Sequence, residues 1–100
     1  MIVETTNYYA KEGQAGAVLE QRRKASAIRC TLGLDPGRIL VKREGDGPDV
    51  RWDCGFASRQ AYEADRAVRA GSQAFEAARH HMHSLVLRFE RHVYELDSDR

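Results

Sequence analysis

The chain has few of the residues that cross-link or interrupt a fold. Its 100 residues include two cysteines, two prolines and one tryptophan. Without a Cys-x-x-Cys pair or further cysteines, neither a disulfide framework nor a cysteine-based metal site is indicated. We therefore expect Cys30 and Cys54 to be reduced thiols that are mostly buried.

An excess of one charge is also missing, since the formal net charge is +1 and acids and bases mix along the chain. This balance argues against nucleic acid or an acidic membrane surface as the main partner. No apolar run approaches membrane-spanning length, and the first residues lack the basic start and apolar core of a signal peptide. We expect a cytoplasmic protein, in which the basic run at residues 22–24 is a solvated helix face.

Large apolar side chains are few, and alanine supplies much of the apolar content. The length predicts one domain over residues 1–96, followed by a polar tail at 97–100. A small domain with a modest core often gains stability by association. We therefore expect a homodimer.

The clearest strand pattern lies at residues 49–56. One side of this strand carries four apolar residues, namely Val50, Trp52, Cys54 and Phe56. The intervening positions are polar or glycine, as in a strand with one buried face. The alternation predicts an inner strand that packs against helices on one face.

The remaining elements follow from local signals. Further strands are predicted at 2–9, 38–43 and 89–96, and helices at 14–32, 58–70 and 73–86. Ser58 and Ser72 are predicted N-caps, and Gly71 separates the last two helices. The glycine-rich turn at 44–48 predicts a hairpin between the second and third strands.

Each helix has a candidate inner face, read from apolar residues three or four positions apart. The predicted inner residues are Ala17, Val18, Ala25, Ile28 and Leu32 in the first helix, Ala57, Ala61, Ala64 and Val68 in the second, and Phe75, Ala78, Met82 and Leu85 in the third. The small residues of the second helix predict close packing on the sheet.

The order strand, helix, strand, strand, broken helix, strand predicts an α+β, ferredoxin-like fold. This plan gives a four-stranded antiparallel sheet with the helices on one face. The other face is bare in a monomer, and extended bare faces are rarely left exposed. Sheet-to-sheet packing of two copies is therefore the predicted dimer contact.

Several weak features together resemble the dimeric α+β barrel superfamily. They are the exit of strand one through Lys11-Glu12-Gly13, the hairpin at 44–48, the Phe56-Ala57-Ser58 segment and the terminal strand ending His92-Val93-Tyr94-Glu95-Leu96. This group includes antibiotic-biosynthesis monooxygenases, heme-degrading monooxygenases and stress-responsive barrel proteins. The resemblance implies a homodimer with a cleft between helices and sheet in each subunit, and it implies no single reaction.

The heme-degrading members of that superfamily serve as a specific comparison. They combine an asparagine late in strand one with a histidine and a tryptophan on the second helical segment. Here Asn7 matches, but alignment on Phe75 puts Arg79 at the histidine position and Arg69 at the tryptophan position. Because adjacent residues on a helix differ in direction by about 100°, His80 does not take the place of the histidine that Arg79 occupies in this alignment. We expect no heme and no other cofactor.

Candidate site residues follow from the polar and aromatic groups expected near the cleft. Asn7 is a candidate hydrogen-bond donor or acceptor for a substrate, and His83 is a candidate general base near neutral pH. Trp52, Phe75 and Tyr62 are candidate substrate-binding residues. The alternative is that Asn7 is an ordinary strand residue and the aromatic residues are core.

The histidine group at residues 80–83 has a second interpretation. His80 and His83 share a helix side and could bind one metal ion, with His92 approaching from the last strand. Metal sites need three or four placed ligands, and no carboxylate or cysteine stands at ligand spacing. We therefore predict no metal, with Met82 in the core and the histidines at the surface or cleft edge.

Three functions remain open at this point. The first is a protein that binds a small molecule in a cleft between helices and sheet. The second is a cofactor-independent monooxygenase or related enzyme acting on a small aromatic or polyketide-like compound. The third is a structural or interaction protein with a filled barrel. A cleft lined by the candidate residues favours the first two.

Overall fold

A computed structural model describes residues 1–97 of the chain. The elements are β1 (Ile2–Ala10), α1 (Ala15–Thr31), β2 (Arg38–Val41), β3 (Val50–Phe56), α2 (Arg59–Ala70), α3 (Gln73–His83) and β4 (Val86–Glu95). Asp97 is described, whereas residues 98–100 of the predicted tail lie outside the described residues.

The four strands form one antiparallel sheet in the order β2-β3-β1-β4. This is the ferredoxin-like α+β fold that the element order predicts. The inner position of β3, paired with both β2 and β1, is confirmed. Its predicted apolar face is also confirmed, because Val50, Trp52, Cys54 and Phe56 are all buried in the core. On the opposite face Asp53 is buried as well, and it pairs with Arg38.

Both predicted serine caps are confirmed by backbone contacts. The Ser58 hydroxyl accepts from the backbone N–H of Ala61 at 3.1 Å, and the Ser72 hydroxyl accepts from that of Phe75 at 3.1 Å. Each satisfies an N–H that has no partner within its helix. The two caps explain why the predicted broken helix consists of two separate helices.

The boundary between α3 and β4 differs from the prediction. The helix ends at His83 and the strand begins at Val86, three residues earlier than expected. The backbone N–H of Lys11 donates to the carbonyl of Leu85, and Val86 pairs with Ala10. The strand therefore begins at Val86, where pairing with β1 starts, although the apolar spacing of this segment is also compatible with a helix.

The buried face of α2 is not the predicted one. Ala61 and Ala64 are exposed, and Val68 is 42% exposed, whereas Tyr62 and Asp65 are buried. Both buried residues have partners in distant parts of the chain, namely Arg91 and Arg29. Their contacts outweigh the small gain from burying alanine side chains.

Two further expectations about α1 are wrong. Arg22, predicted on a solvated face, is 4% exposed, and Cys30, predicted to be mostly buried, is exposed. The buried side of α1 carries mainly polar residues; its buried residues are Val18, Gln21, Arg22, Ala25, Ser26 and Arg29. An apolar stripe therefore could not identify this face.

No helix among residues 1–97 is long and apolar enough to cross a membrane.

Candidate functional site: an arginine-rich cleft between helices and sheet

A cavity of about 420 Å³ lies between the helices and one face of the sheet. We call it the helix–sheet cleft. Its strand side is formed by Glu4, Thr6, Tyr8, Trp52, Phe89 and Arg91, and its helix side by Gln21, Arg22, Ala25, Arg66, Arg69, Ala70, Phe75, Glu76, Ala78, Arg79, Met82 and His83. Both buried and exposed side chains line it, so the cleft reaches the surface. Its volume lies in the range of small-molecule sites.

The sheet register explains which strand residues reach the cleft. Thr6 of β1 lies between Trp52 of β3 and Arg91 of β4. Residues paired across an antiparallel sheet project on the same face, and alternate residues of a strand follow them. Glu4 and Tyr8 therefore share the cleft side of β1 with Thr6.

Glu4 anchors the sheet side of the cleft although it is only 2% exposed. Its two carboxylate oxygens accept from both terminal nitrogens of Arg69, each at 2.9 Å, and Oε2 also accepts from Nε of Arg91 at 2.9 Å. Arg91 donates further to the hydroxyl of Tyr62. A bidentate pair with additional donors is the geometry in which a buried carboxylate is well compensated.

Arg29 forms the second buried ion pair, behind Trp52. It is fully buried and donates to both oxygens of Asp65, at 3.1 and 2.7 Å, and to the carbonyl of Asp35 at 2.7 Å. Its guanidinium carbon lies 5.0 Å from the centre of the Trp52 ring. These contacts fix α2, α1 and β3 against one another.

Cys54 lies beside this pair, and burial raises the pKa of its thiol to about 11, although the nearby Arg29 charge acts in the opposite direction. The thiolate is the reactive form of cysteine. Cys54 is therefore protonated near neutral pH, and the structure gives it no nucleophilic role.

Arg22 differs from the other buried arginines. Its terminal nitrogens donate to the hydroxyls of Tyr8 at 3.1 Å and Ser26 at 3.3 Å, and its guanidinium carbon lies 4.7 Å from the Trp52 ring centre. Its Nε is buried without a hydrogen-bond partner. Arg22 has no carboxylate partner among the described residues, so a nearly buried positive charge borders the cleft without a counter-ion.

The remaining lining is largely apolar and aromatic. Trp52 and Met82 are buried, and Phe75 is half-buried. His83 stacks on Phe89 with ring centres 4.9 Å apart. An apolar wall with a few polar groups is typical of sites for compact organic ligands.

The structure brings together some of the residues singled out in the sequence. Trp52, Phe75 and His83 all line the cleft. Tyr62 does not line it; it is buried in the core against Phe56, with ring centres 5.3 Å apart. Its hydroxyl nevertheless holds Arg91, so it supports the cleft wall indirectly.

The expectation that Asn7 faces the cleft is wrong. Asn7 pairs with Arg51 and Glu90, and it alternates with Thr6 and Tyr8, which line the cleft. Because neighbouring strand residues project to opposite faces, Asn7 lies on the outer face of the sheet. It therefore cannot act together with Trp52 and His83 on a ligand bound in the helix–sheet cleft.

The histidines do not form a metal site within residues 1–97. No group of three or more histidine, cysteine, aspartate or glutamate residues is placed to hold a metal ion in that part of the chain. His80 and His81 are exposed and do not line the cleft. Arg69, at the position compared with a tryptophan, is held by Glu4.

Sequence reasoning missed the charged residues that distinguish the cleft, above all Glu4, Arg22, Arg69 and Arg91. One signal was available for Glu4, because a carboxylate within the apolar and β-branched run of β1 requires a buried partner. Arg22 gave no such signal. It is followed by Arg23 and Lys24, which are exposed, so the sequence does not distinguish it from these surface residues.

No family model matches the chain, and no curated protein matches it by sequence. Comparison with solved structures is informative about the fold. An uncharacterised NIPSNAP domain protein from Burkholderia xenovorans superposes with a TM-score of 0.78 at 14% identity, covering 100% of this chain and 98% of its own.

Two other similar structures broaden this picture. A protein described as an antibiotic biosynthesis monooxygenase has a TM-score of 0.71 at 11% identity, covering 96% of this chain and 98% of its own. A dimeric protein of unknown function and ferredoxin-like fold from Bacteroides fragilis has a TM-score of 0.71 at 11% identity, covering 95% of each chain. The chain thus has the ferredoxin-like α+β fold, which these similar structures share.

Proposed function

We propose that this ferredoxin-like protein binds a small organic molecule in the helix–sheet cleft. The supporting observation is the cavity of about 420 Å³, which is lined by aromatic and apolar side chains together with five arginines and other polar groups. Ligand sites are concave, mostly apolar pockets that carry a small number of placed polar groups. A cavity of this size in so small a protein therefore favours a binding role over a filled scaffold.

Ligand titration followed by backbone amide NMR tests this proposal. We expect 3-phenylpropionate and its uncharged amide to shift signals from residues that line the cleft. Ala78 lines the cleft and Ala77, its exposed neighbour on α3, does not. Ala78→Phe should fill the space and weaken binding of both compounds, whereas Ala77→Phe should leave binding unchanged.

The scaffold interpretation makes the opposite prediction. It predicts no saturable shifts from either compound at millimolar concentration, or shifts that Ala78→Phe does not alter. Either result would count against a binding site in the helix–sheet cleft.

A second candidate function is oxidation of a small aromatic or polyketide-like compound by oxygen without a cofactor. His83 favours it, because this imidazole borders the cleft next to Phe89 and is a candidate general base for a phenolic proton. Oxygen uptake with a hydroxylated naphthalene should then fall in His83→Gln and not in His81→Gln. Equal uptake with and without the protein would contradict this function.

We also propose a cytoplasmic homodimer formed through the outer face of the sheet. Leu40 and Tyr94 on this face are 45% and 55% exposed, and such surface is commonly covered in an assembly. Light scattering should give a dimer mass. Tyr94→Glu should shift the measured mass towards that of the monomer. Val68→Glu, on the exposed side of α2, should leave the mass unchanged. A monomer mass for the unaltered protein would end this proposal.

A further inference from the structure

Arg22 borders the cleft with a positive charge that no carboxylate of the described residues compensates. The other buried arginine of α1, Arg29, contacts a carboxylate, and the cleft residue Arg69 does too. Arg22 contacts two hydroxyls and an aromatic ring instead. Removing a cation from water without an anionic partner is strongly unfavourable, so this arrangement requires a reason.

Tyr8 supplies a second unused group at the same place. Its hydroxyl is an acceptor for Arg22, and within residues 1–97 its own proton has no acceptor. Tyr8 lines the cleft and is only 7% exposed. A hydroxyl that accepts from a guanidinium remains able to donate, and the cation makes it a stronger donor.

The acidic residues of the cleft do not offset the charge of Arg22. Glu4 is held by Arg69 and Arg91, and Glu76 is exposed and pairs with Arg79. Arg66 also lines the cleft and has no carboxylate partner in the described part of the chain. The lining contains five arginines and two glutamates, so its formal net charge is positive.

We propose that the ligand of the cleft is an organic carboxylate, whose charged group is bound by the guanidinium of Arg22 and the hydroxyl of Tyr8. This inference rests on the proposed binding function and specifies the ligand class. The apolar body lies against Trp52 and Phe75. A carboxylate supplies the negative charge that Arg22 lacks and accepts the proton that Tyr8 has to donate.

The test compares 3-phenylpropionate with 3-phenylpropionamide, which has the same shape without the charge, by isothermal titration calorimetry at pH 7. We expect the acid to bind at least about tenfold more tightly, because hydrogen bonds to a charged group are the stronger ones. Arg22→Met should remove this preference. Tyr8→Phe should reduce it, and it provides a second test should Arg22→Met fail to fold.

Adjacent residues provide matched controls. Arg23 lies on the surface and pairs with Glu20, and the hydroxyl of Tyr9 contacts Glu90. Arg23→Met and Tyr9→Phe should therefore retain the full preference for the acid.

Three outcomes would overturn the inference in distinguishable ways. Equal binding of acid and amide, both blocked by Ala78→Phe, would remove the carboxylate assignment and leave the binding function intact. A preference that survives both Arg22→Met and Tyr8→Phe would place the charge recognition elsewhere. Absence of binding by both compounds would contradict the proposed function as well.

Discussion

Arg22 and Arg29 lie seven residues apart on α1 and both place their guanidinium groups against the ring of Trp52, yet only Arg29 contacts a carboxylate. Two buried charges of the same kind are thus stabilised in different ways. Asp65 compensates the charge of Arg29 within the fold, so Arg29 has a structural role. Arg22 is compensated only by hydroxyls and an aromatic ring. This arrangement leaves its charge available to an anionic ligand.

This difference predicts opposite responses to the same substitution. Arg29→Met should lower the free energy of unfolding by about 3–5 kcal/mol, because it leaves Asp65 buried without a partner. Arg22→Met should leave the stability of the ligand-free protein unchanged or raise it by up to about 2 kcal/mol, because an uncompensated charge disappears. Urea denaturation measures both values. Equal losses in the two variants would contradict the distinction.

A second prediction concerns Glu4, whose carboxylate holds Arg69 and Arg91. Glu4→Gln should cost about 3–5 kcal/mol of unfolding free energy, because two guanidinium groups lose their shared partner in a buried position. Glu76→Gln is the control, since Glu76 and Arg79 are 65% and 55% exposed. Exposed pairs contribute about 0–1 kcal/mol. Similar small effects in both variants would argue against a central role for Glu4.

A third prediction concerns the reactivity of the two thiols. Cys30 is exposed, whereas Cys54 is buried and has a pKa of about 11. At pH 8 a thiol reagent should modify one cysteine rapidly in the folded protein and two in denaturant, because only accessible thiolate reacts. Cys30→Ser should abolish the rapid phase. Two rapid modifications in the folded protein would disprove the burial of Cys54.

The same thiol makes stability depend on pH in alkaline solution. Its pKa is raised from 9.0 to about 11 on folding. Between these values the unfolded chain loses the thiol proton while the folded protein keeps it, so the free energy of unfolding falls as the pH rises from about 9 towards 11. The free energy of unfolding should therefore fall more steeply in this range than it does in Cys54→Ala. Parallel curves for the two proteins would exclude this linkage.

A fifth prediction concerns the loop that covers the edge of Trp52. The indole N–H donates to the carbonyl of Pro36 at 2.8 Å, and a Cβ on Gly37 would overlap the indole ring and the backbone of Asp53. Gly37 and Gly33 have similar positive φ angles of 73° and 77°, but a Cβ on Gly33 would meet no other atom within 4 Å. Both alanine variants should lose about 1 kcal/mol for the backbone conformation.

The overlap adds a cost at Gly37 alone. Gly37→Ala should lose a further 1–3 kcal/mol or so, as in other overpacked sites. Thermal unfolding of the two variants checks the difference, and a shift in tryptophan fluorescence should accompany Gly37→Ala only. Equal losses would mean that the loop moves away from Trp52 without penalty.

Local sequence determined much of the fold. The two-residue alternation around Trp52 identified β3 and its buried face, because neighbouring strand residues must project to opposite sides. Ser58 and Ser72 identified the starts of α2 and α3, because a side-chain oxygen there satisfies a free backbone N–H within a few residues. The order of these elements then left few topologies, and the ferredoxin-like sheet was among them.

The tertiary structure decided the chemistry of the cleft. Glu4 meets Arg69 across 65 residues of chain, and Arg29 meets Asp65 across 36. Contacts between residues so far apart in the chain leave no local pattern. The sequence therefore predicts that the polar faces of α1 and α2 are exposed and that their alanines are buried. Asn7 was misplaced for a related reason, since only the register of the whole sheet decides which face of β1 meets the helices.

The sequence by itself thus determined the elements and their order, because these depend on spacing along a few turns or residues. Only the tertiary structure decided that Arg22, one of three adjacent basic residues, is buried against Trp52 beside the hydroxyl of Tyr8. Burial and the absence of a counter-ion are properties of the assembled surroundings, which no single segment contains.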